Sequence, residues 1–217
     1  MLINKFPPER TVFFSDAVFA IAMTLLVLEI KLPSMAEAQS LGIDEILLNR
    51  IPNFICFAIS FIVTALFWKA HMVTCTYVKT VSNRFIWINI WLLFFVVVMP
   101  FTTALYANYG FMDNVAFSFY CLNIAVIGIF NYLLMAHVIK TEDLNNALGQ
   151  AAIIWSKRRA LIVPAVFMFA IVLAMFAPFT SRYAFILIFI LQAIGDRFYK
   201  KKQSQLLTMQ ESIVEKA

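Results

Sequence analysis

The chain has 217 residues, 63% of them hydrophobic and 13% charged, with a mean hydropathy of +0.85. A soluble domain averages about 45–50% apolar and about 25% charged residues, so this composition excludes an ordinary soluble domain and describes an integral membrane protein. The net charge of +5 then bears on which membrane face holds the basic residues and points to no nucleic-acid partner.

A spanning helix needs about 20 apolar residues. Six segments qualify in chain order: 11–32, 52–77, 85–107, 114–138, 160–178 and 181–199. The first lacks a small-residue cleavage site and reads as a retained span rather than a signal peptide. Only APFTSR separates the last two, and Pro164 and Pro178 fall near the ends of the fifth, where a missing backbone donor is tolerated. The expected fold is an all-α polytopic membrane protein, with one six-helix domain over residues 1–200 and a short cytoplasmic tail over 201–217. MPFTTALY (99–106) and APFTSRYA (177–184) hint at an internal repeat. Cys56, Cys75 and Cys121 lie in apolar segments without metal or redox spacing, so they read as packing residues with no disulfide.

Of the 17 Lys and Arg, 13 fall in the N-terminus, the 78–84 and 139–159 links and the C-terminal tail. Lys31, Arg50 and Arg182 lie on the other side, and Lys69 lies within the second span. This asymmetry puts both termini in the cytoplasm, which an even number of spans requires. The outer link 33–51 carries Glu37, Asp44 and Glu45, a mildly acidic face.

A charge at the centre of a span costs about 2.5–3.5 kcal/mol on insertion scales and should face protein or water. The candidates are Asp16, Lys69, His71 and His137, with Ser15, Trp68 and Asn89 as hydrogen-bonding neighbours. Asp16 and Trp68 each lie 16 residues from the outer end of their span, about 24 Å at 1.5 Å per residue. His71 is about one turn deeper, and Asn89 enters from the cytoplasmic side by a similar distance, so these groups can share one layer. Lys69 and His71 can instead snorkel to the headgroups, and Trp68 or His137 can serve as interface residues. Asp16 is too short to snorkel far.

With Ile21 at zero on the first helix, Leu25 falls at about +40°, Leu28 at about −20° and Thr24 at about −60°. Phe14 lies toward the same side, at about +20°, while Asp16 falls at about −140°. If the Asp16 side packs inward, the Ile/Leu stripe faces either lipid or another copy of itself.

Arg10, followed after three residues by Phe14-Ser15-Asp16, resembles the RxxxFSD signature of the transmembrane protein 175 family of potassium channels. AVFAIAMTLLVLEI (17–30) is similar to the first helix of its prokaryotic members, and Trp68, His71, Asn89 and PFTT (100–103) resemble family positions. The resemblance implies six spans per subunit and a homotetramer in a cell membrane, with a potassium pathway lined by the first helices. It implies pore rings at Ile21, Leu25 and Leu28 with Thr24 beside them. Arg10, Phe14, Ser15, Asp16, Trp68, His71 and Asn89 would form a structural polar network. Where the family has a small polar residue before the first constriction, this chain has Ala20.

The partners expected are potassium ions, the bilayer and other copies of the chain, with no cofactor and no metal beyond permeating potassium. No TVGYG-type carbonyl filter is present. Ile or Leu rings set a diameter and dewet when narrow, which gives a modest preference for the less tightly hydrated potassium over sodium. Glu29 near the outer end would concentrate cations at the mouth. A second reading is a proton-coupled carrier or proton channel using Asp16 and His71, with Lys69 as a further relay group. The first three spans hold no glycine, unlike the broken helices usual in carriers. No HExxH, phosphate loop or facing nucleophile pair supports an enzyme.

Overall fold

The computed structural model describes residues 7–110, 113–142, 150–188 and 190–198, and their regular elements are helical. Helix α1 (Pro8–Leu25) starts with Pro8 in its first turn, where the missing N–H would have lacked an intrahelical partner anyway. It passes into a 3-10 turn, Leu26–Glu29. Ser34 and Glu37 form a capping box on the short α2 (Met35–Leu41): Glu37 N donates to Ser34 Oγ at 3.2 Å, and Ser34 N donates to Glu37 Oε2 at 2.8 Å. Gly42, with φ +80°, then turns the chain into α3 (Ile43–Cys75). Helices α4 (Asn83–Tyr109), α5 (Asn114–Thr141) and α6 (Gln150–Phe176) follow. The short α7 (Pro178–Ser181) leads to a last helical stretch, α8, at residues 186–188 and 190–198.

Several helix limits differ from the hydropathy reading. The expected first span, 11–32, is α-helical only to Leu25. The second, expected over 52–77, belongs to a 33-residue helix with Pro52 inside it. Hydropathy detects lipid contact and stops at Asp44, Glu45 and Arg50. The helix does not stop there, because carboxylates in its first turn favour its dipole. Likewise α6 begins ahead of Lys157, Arg158 and Arg159, and Lys and Arg are good helix formers. The sixth expected span, 181–199, opens with turns at 182–185 before α8. Among the described residues five helices are long and apolar enough to cross a membrane, and the expected tail 201–217 lies outside those residues. The two repeat-like segments also differ locally: 99–106 runs unbroken inside α4, whereas 177–184 forms α7 and its flanking turns.

Helix α5 is the centre of the bundle, packing most extensively on α6 and α4, while α1 packs on α4 and α3. In the most apolar stretch of each helix, 56% of α5 is buried but only 22% of α1. The α5–α6 contact depends on a missing side chain: a Cβ at Gly128 would stand 2.7 Å from Pro164 Cδ, and small residues of this kind let membrane helices approach closely. Phe19, Leu92, Val96, Met99 and Ile124 anchor the main core. All three cysteines are free and buried.

Candidate functional site

Helix α1 has one packed side. Ser15, Phe19, Ala22 and Leu26 are buried at spacings of 4, 3 and 4 residues, which centres the packed side at about +130° when Ile21 is zero. The side chains facing away are Phe14 (59% exposed), Ile21 (58%), Leu25 (39%) and Leu28 (70%). Inward packing is therefore centred on Ser15 and Phe19, and Asp16 lies on its flank, half-buried. Leu28 and Glu29 stand on the 3-10 turn rather than on regular α-helix, so each step there rotates about 20° further than helical spacing implies.

Thr24 is exposed beside Ile21, and its hydroxyl donates to the Ile21 carbonyl at 2.8 Å. With its proton committed to the backbone, the Thr24 oxygen presents its lone pairs away from the bundle.

The polar residues form two hydrogen-bonded sets. In one, Trp68 Nε1 donates to Asp16 Oδ1 at 2.9 Å. In the other, Asn89 Nδ2 donates to Ser15 Oγ at 2.9 Å, and His71 Nε2 meets Asn89 Oδ1 at 2.9 Å. Since Asn89 Oδ1 can only accept, His71 donates from Nε2, and the Cys75 sulfur lies beside the ring, 3.7 Å from Nδ1 and 3.8 Å from Nε2. Ser15 Oγ in turn donates to the Thr11 carbonyl at 2.8 Å. The second set thus runs in one direction from His71 to Asn89 to Ser15 to Thr11, and ends on a backbone oxygen. Phe19 packs on the His71 ring at 5.7 Å, so the same turn of α1 contributes both apolar and polar contacts to this anchor.

Other expected participants stay apart. Arg10 is exposed in the first turn of α1 and forms no hydrogen bond or ion pair with a described residue. Phe14 points away from both sets. Glu29 is half-buried on the 3-10 turn, and Lys69 is exposed on another side of α3. His137 bonds Ser82 Oγ at 3.0 Å, at the start of α4. Among the described residues Asp16, His71 and Lys69 therefore do not form a hydrogen-bonded relay: the hydrogen-bond partner of Asp16 there is an indole N–H, which donates and cannot accept a proton.

A further buried polar cluster went unread in the sequence. Thr103 Oγ1 donates to Ser60 Oγ at 2.9 Å, and Ser60 Oγ lies 3.0 Å from Tyr120 Oη. Nearby, Asn123 Nδ2 donates to the Phe95 carbonyl at 3.2 Å and reaches Thr102 Oγ1 at 3.4 Å. The available signal was a mid-span Ser60 and Asn123, each needing a partner that lipid cannot supply. Arg182 donates to Gly110 O at 2.8 Å and Asn114 Oδ1 at 3.2 Å, tying the turns after α7 to the α4–α5 link. Among the described residues no group of three or more His, Cys, Asp or Glu could hold a metal.

Comparison with known proteins fits this arrangement. The profile of the family described as endosomal/lysosomal potassium channel TMEM175 matches residues 10–100, the stretch that holds both hydrogen-bonded sets. The crystal structure of a lysosomal potassium-selective channel TMEM175 homolog from Chamaesiphon minutus matches with a TM-score of 0.75 and 28% identity, over 87% of this chain and 97% of that one. The chain belongs to the TMEM175 family. A potassium channel of Chryseobacterium sp. is 29% identical over 188 residues, 87% of this chain and 93% of that protein. One from Streptomyces collinus is 33% identical over 138 residues, 62% of this chain and 66% of that protein. A variant of a second channel of the TMEM175 family, MtTMEM175, shares the fold with a TM-score of 0.59 at 20% identity, over 87% of this chain and 92% of that one.

Proposed function

We propose that the protein is a potassium-permeable channel, not an enzyme, conducting passively through a central pore in a homotetramer. It would reside in the cell membrane with both termini cytoplasmic. The observation that carries this reading is the unpacked side of α1, with exposed Ile21, Thr24, Leu25 and Leu28 on a helix fastened to the bundle only by its other side. Four copies of that side facing one axis would make rings of Ile21, Leu25 and Leu28.

A ring of branched aliphatic side chains sets a diameter without supplying ligands. The barrier there is the cost of partly dehydrating the ion, which is lower for potassium than for the more tightly hydrated sodium. Thr24 oxygens would offset part of that cost, and Glu29 would raise cation concentration at the outer mouth. Ser15, Asn89, His71, Asp16 and Trp68 would hold α1 at a fixed rotation, which a hydrophobic constriction needs because its width changes with helix orientation. Arg10 and Phe14 would act through contacts outside this single subunit.

The test is ion flux from liposomes containing only the purified protein, under potassium or sodium gradients with no proton gradient. Potassium flux exceeding sodium flux supports the channel. Flux that appears only with a proton gradient or a second substrate would favour a coupled carrier instead.

A further inference from the structure

A groove of about 180 Å³ opens between α3, α5, α6 and α8, away from the exposed stripe of α1. Apolar side chains make most of its wall, among them Val63, Ala70, Val163 and Ile188, and Lys69 and Arg159 line it as well. Lys69 is exposed and forms no hydrogen bond or ion pair with a described residue. Arg159 lies 3.6 Å from Asp196, with both side chains nearly half exposed, a pairing that water screens and a doubly liganded phosphate can outcompete. Asn131 also lines the groove: it is 4% exposed, its Nδ2 donates to the Phe67 carbonyl at 3.5 Å, and its Oδ1 has no partner among the described residues. That acceptor calls for a hydrogen-bond donor such as a headgroup hydroxyl or a water, which a phosphate oxygen cannot supply, so the two cations and not Asn131 are the phosphate partners.

The level of the cations narrows the occupant. Lys69 lies six residues before the end of α3 at Cys75, about 9 Å along the axis. Arg159 closes the Lys157-Arg158-Arg159 run where the apolar part of α6 begins. Both belong to the Lys/Arg-rich end of the bundle, the end that the charge distribution puts in the cytoplasm, and the apolar walls run from there toward the midplane. Basic pockets between helices at this level suit phosphate-bearing headgroups.

We propose that this groove binds an anionic phospholipid of the cytoplasmic leaflet, with its phosphate between Lys69 and Arg159 and an acyl chain along Val63, Ala70, Val163 and Ile188. The site is independent of the conduction pathway and stands whether or not the protein conducts potassium. Only the leaflet depends on the orientation.

Native mass spectrometry of the full-length protein in detergent, titrated with phosphatidylglycerol or with phosphatidylcholine of the same acyl chains, tests this. Phosphatidylglycerol is retained in preference, and Lys69→Ala or Arg159→Ala lowers its retention about fivefold each, from about 1 kcal/mol per basic residue. Lys69→Arg keeps it, and Lys79→Ala, outside the groove, leaves it unchanged. Ala70→Trp fills the groove at an exposed position and displaces the lipid while both cations remain. Millimolar inorganic phosphate does not displace it. Equal retention of the two lipids, an effect of Lys79→Ala matching that of Lys69→Ala, lipid retained by Ala70→Trp, or displacement by phosphate would each overturn the proposal.

Discussion

Trp68 on α3 donates its indole N–H to the Asp16 carboxylate on α1 at 2.9 Å, across 52 residues of sequence. This bond fastens the flank of a helix that is otherwise among the least buried in the bundle. Asp16→Ala leaves the Trp68 donor unpaired in a part-buried site, at a cost of about 1–3 kcal/mol. Asp16→Asn keeps an acceptor oxygen and costs less. The expected order of thermal stability, read by fluorescence-detected size exclusion, is wild type, then Asp16→Asn, then Asp16→Ala. If Asp16→Ala assembles and melts like the wild type, the bond is not an anchor; if it changes only a pH dependence of transport, the proton-relay reading gains.

A polar side chain at the first aliphatic ring should keep the constriction wet. Ile21→Asn is expected to raise single-channel conductance and weaken the preference for potassium over sodium, because water at the narrow point lowers the dehydration barrier for both ions. Planar-bilayer recording under bi-ionic conditions reads both quantities together. Conductance and reversal potential unchanged from wild type would remove Ile21 from the pore.

Gly128 gives a test of the fold that does not touch the candidate site. The Cβ added by Gly128→Ala would meet Pro164 Cδ at 2.7 Å, and a proline ring inside a helix has little freedom to yield. Overpacking of this kind costs about 1–3 kcal/mol. A lower melting temperature is expected without any change in ion selectivity. A variant as stable as the wild type would show that α5 and α6 can separate at no cost.

Counting residues from the outer ends of the first two spans was enough to set Asp16 and Trp68 at one depth, and these two side chains meet. The count gave depth but not rotation. Which side of α1 packs is decided by Phe19, Ala22 and Leu26, whose apolar character is the same as that of the exposed stripe, so only the structure separates them. Hydropathy located the membrane-crossing parts of α3 and α6 yet not their polar extensions, because helices continue into water where lipid contact ends. The Ser60–Thr103–Tyr120 cluster escaped notice because hydroxyls are cheap in a span and carry no charge to attract attention.

The capping box of α2 gives a pH dependence. Glu37 accepts from the Ser34 backbone N–H and contacts the Ser34 side chain, and these bonds hold its carboxyl below the usual carboxylate range, with Arg50 adding a smaller pull. The folded-state value being the lower one, its stabilisation of α2 is fully present above the unfolded value of about 4.3 and is lost as pH falls through the folded value. Amide spectra of residues 35–41 in micelles should show α2 fraying below that range in the wild type. In Glu37→Gln the acid dependence should disappear. Acid fraying that persists unchanged in Glu37→Gln would assign it to another group.

The measurement that bears most directly on the central claim is single-channel recording of Ile21→Cys before and after a positively charged methanethiosulfonate reagent. The three native cysteines are buried, so the new thiol is the accessible one. If the exposed side of α1 lines the conduction path, modification places a fixed cation at the narrowest ring and the current falls sharply or stops. A current that stays unchanged while mass spectrometry shows the cysteine fully modified would mean that this side of α1 faces lipid, and the pore would have to be sought elsewhere.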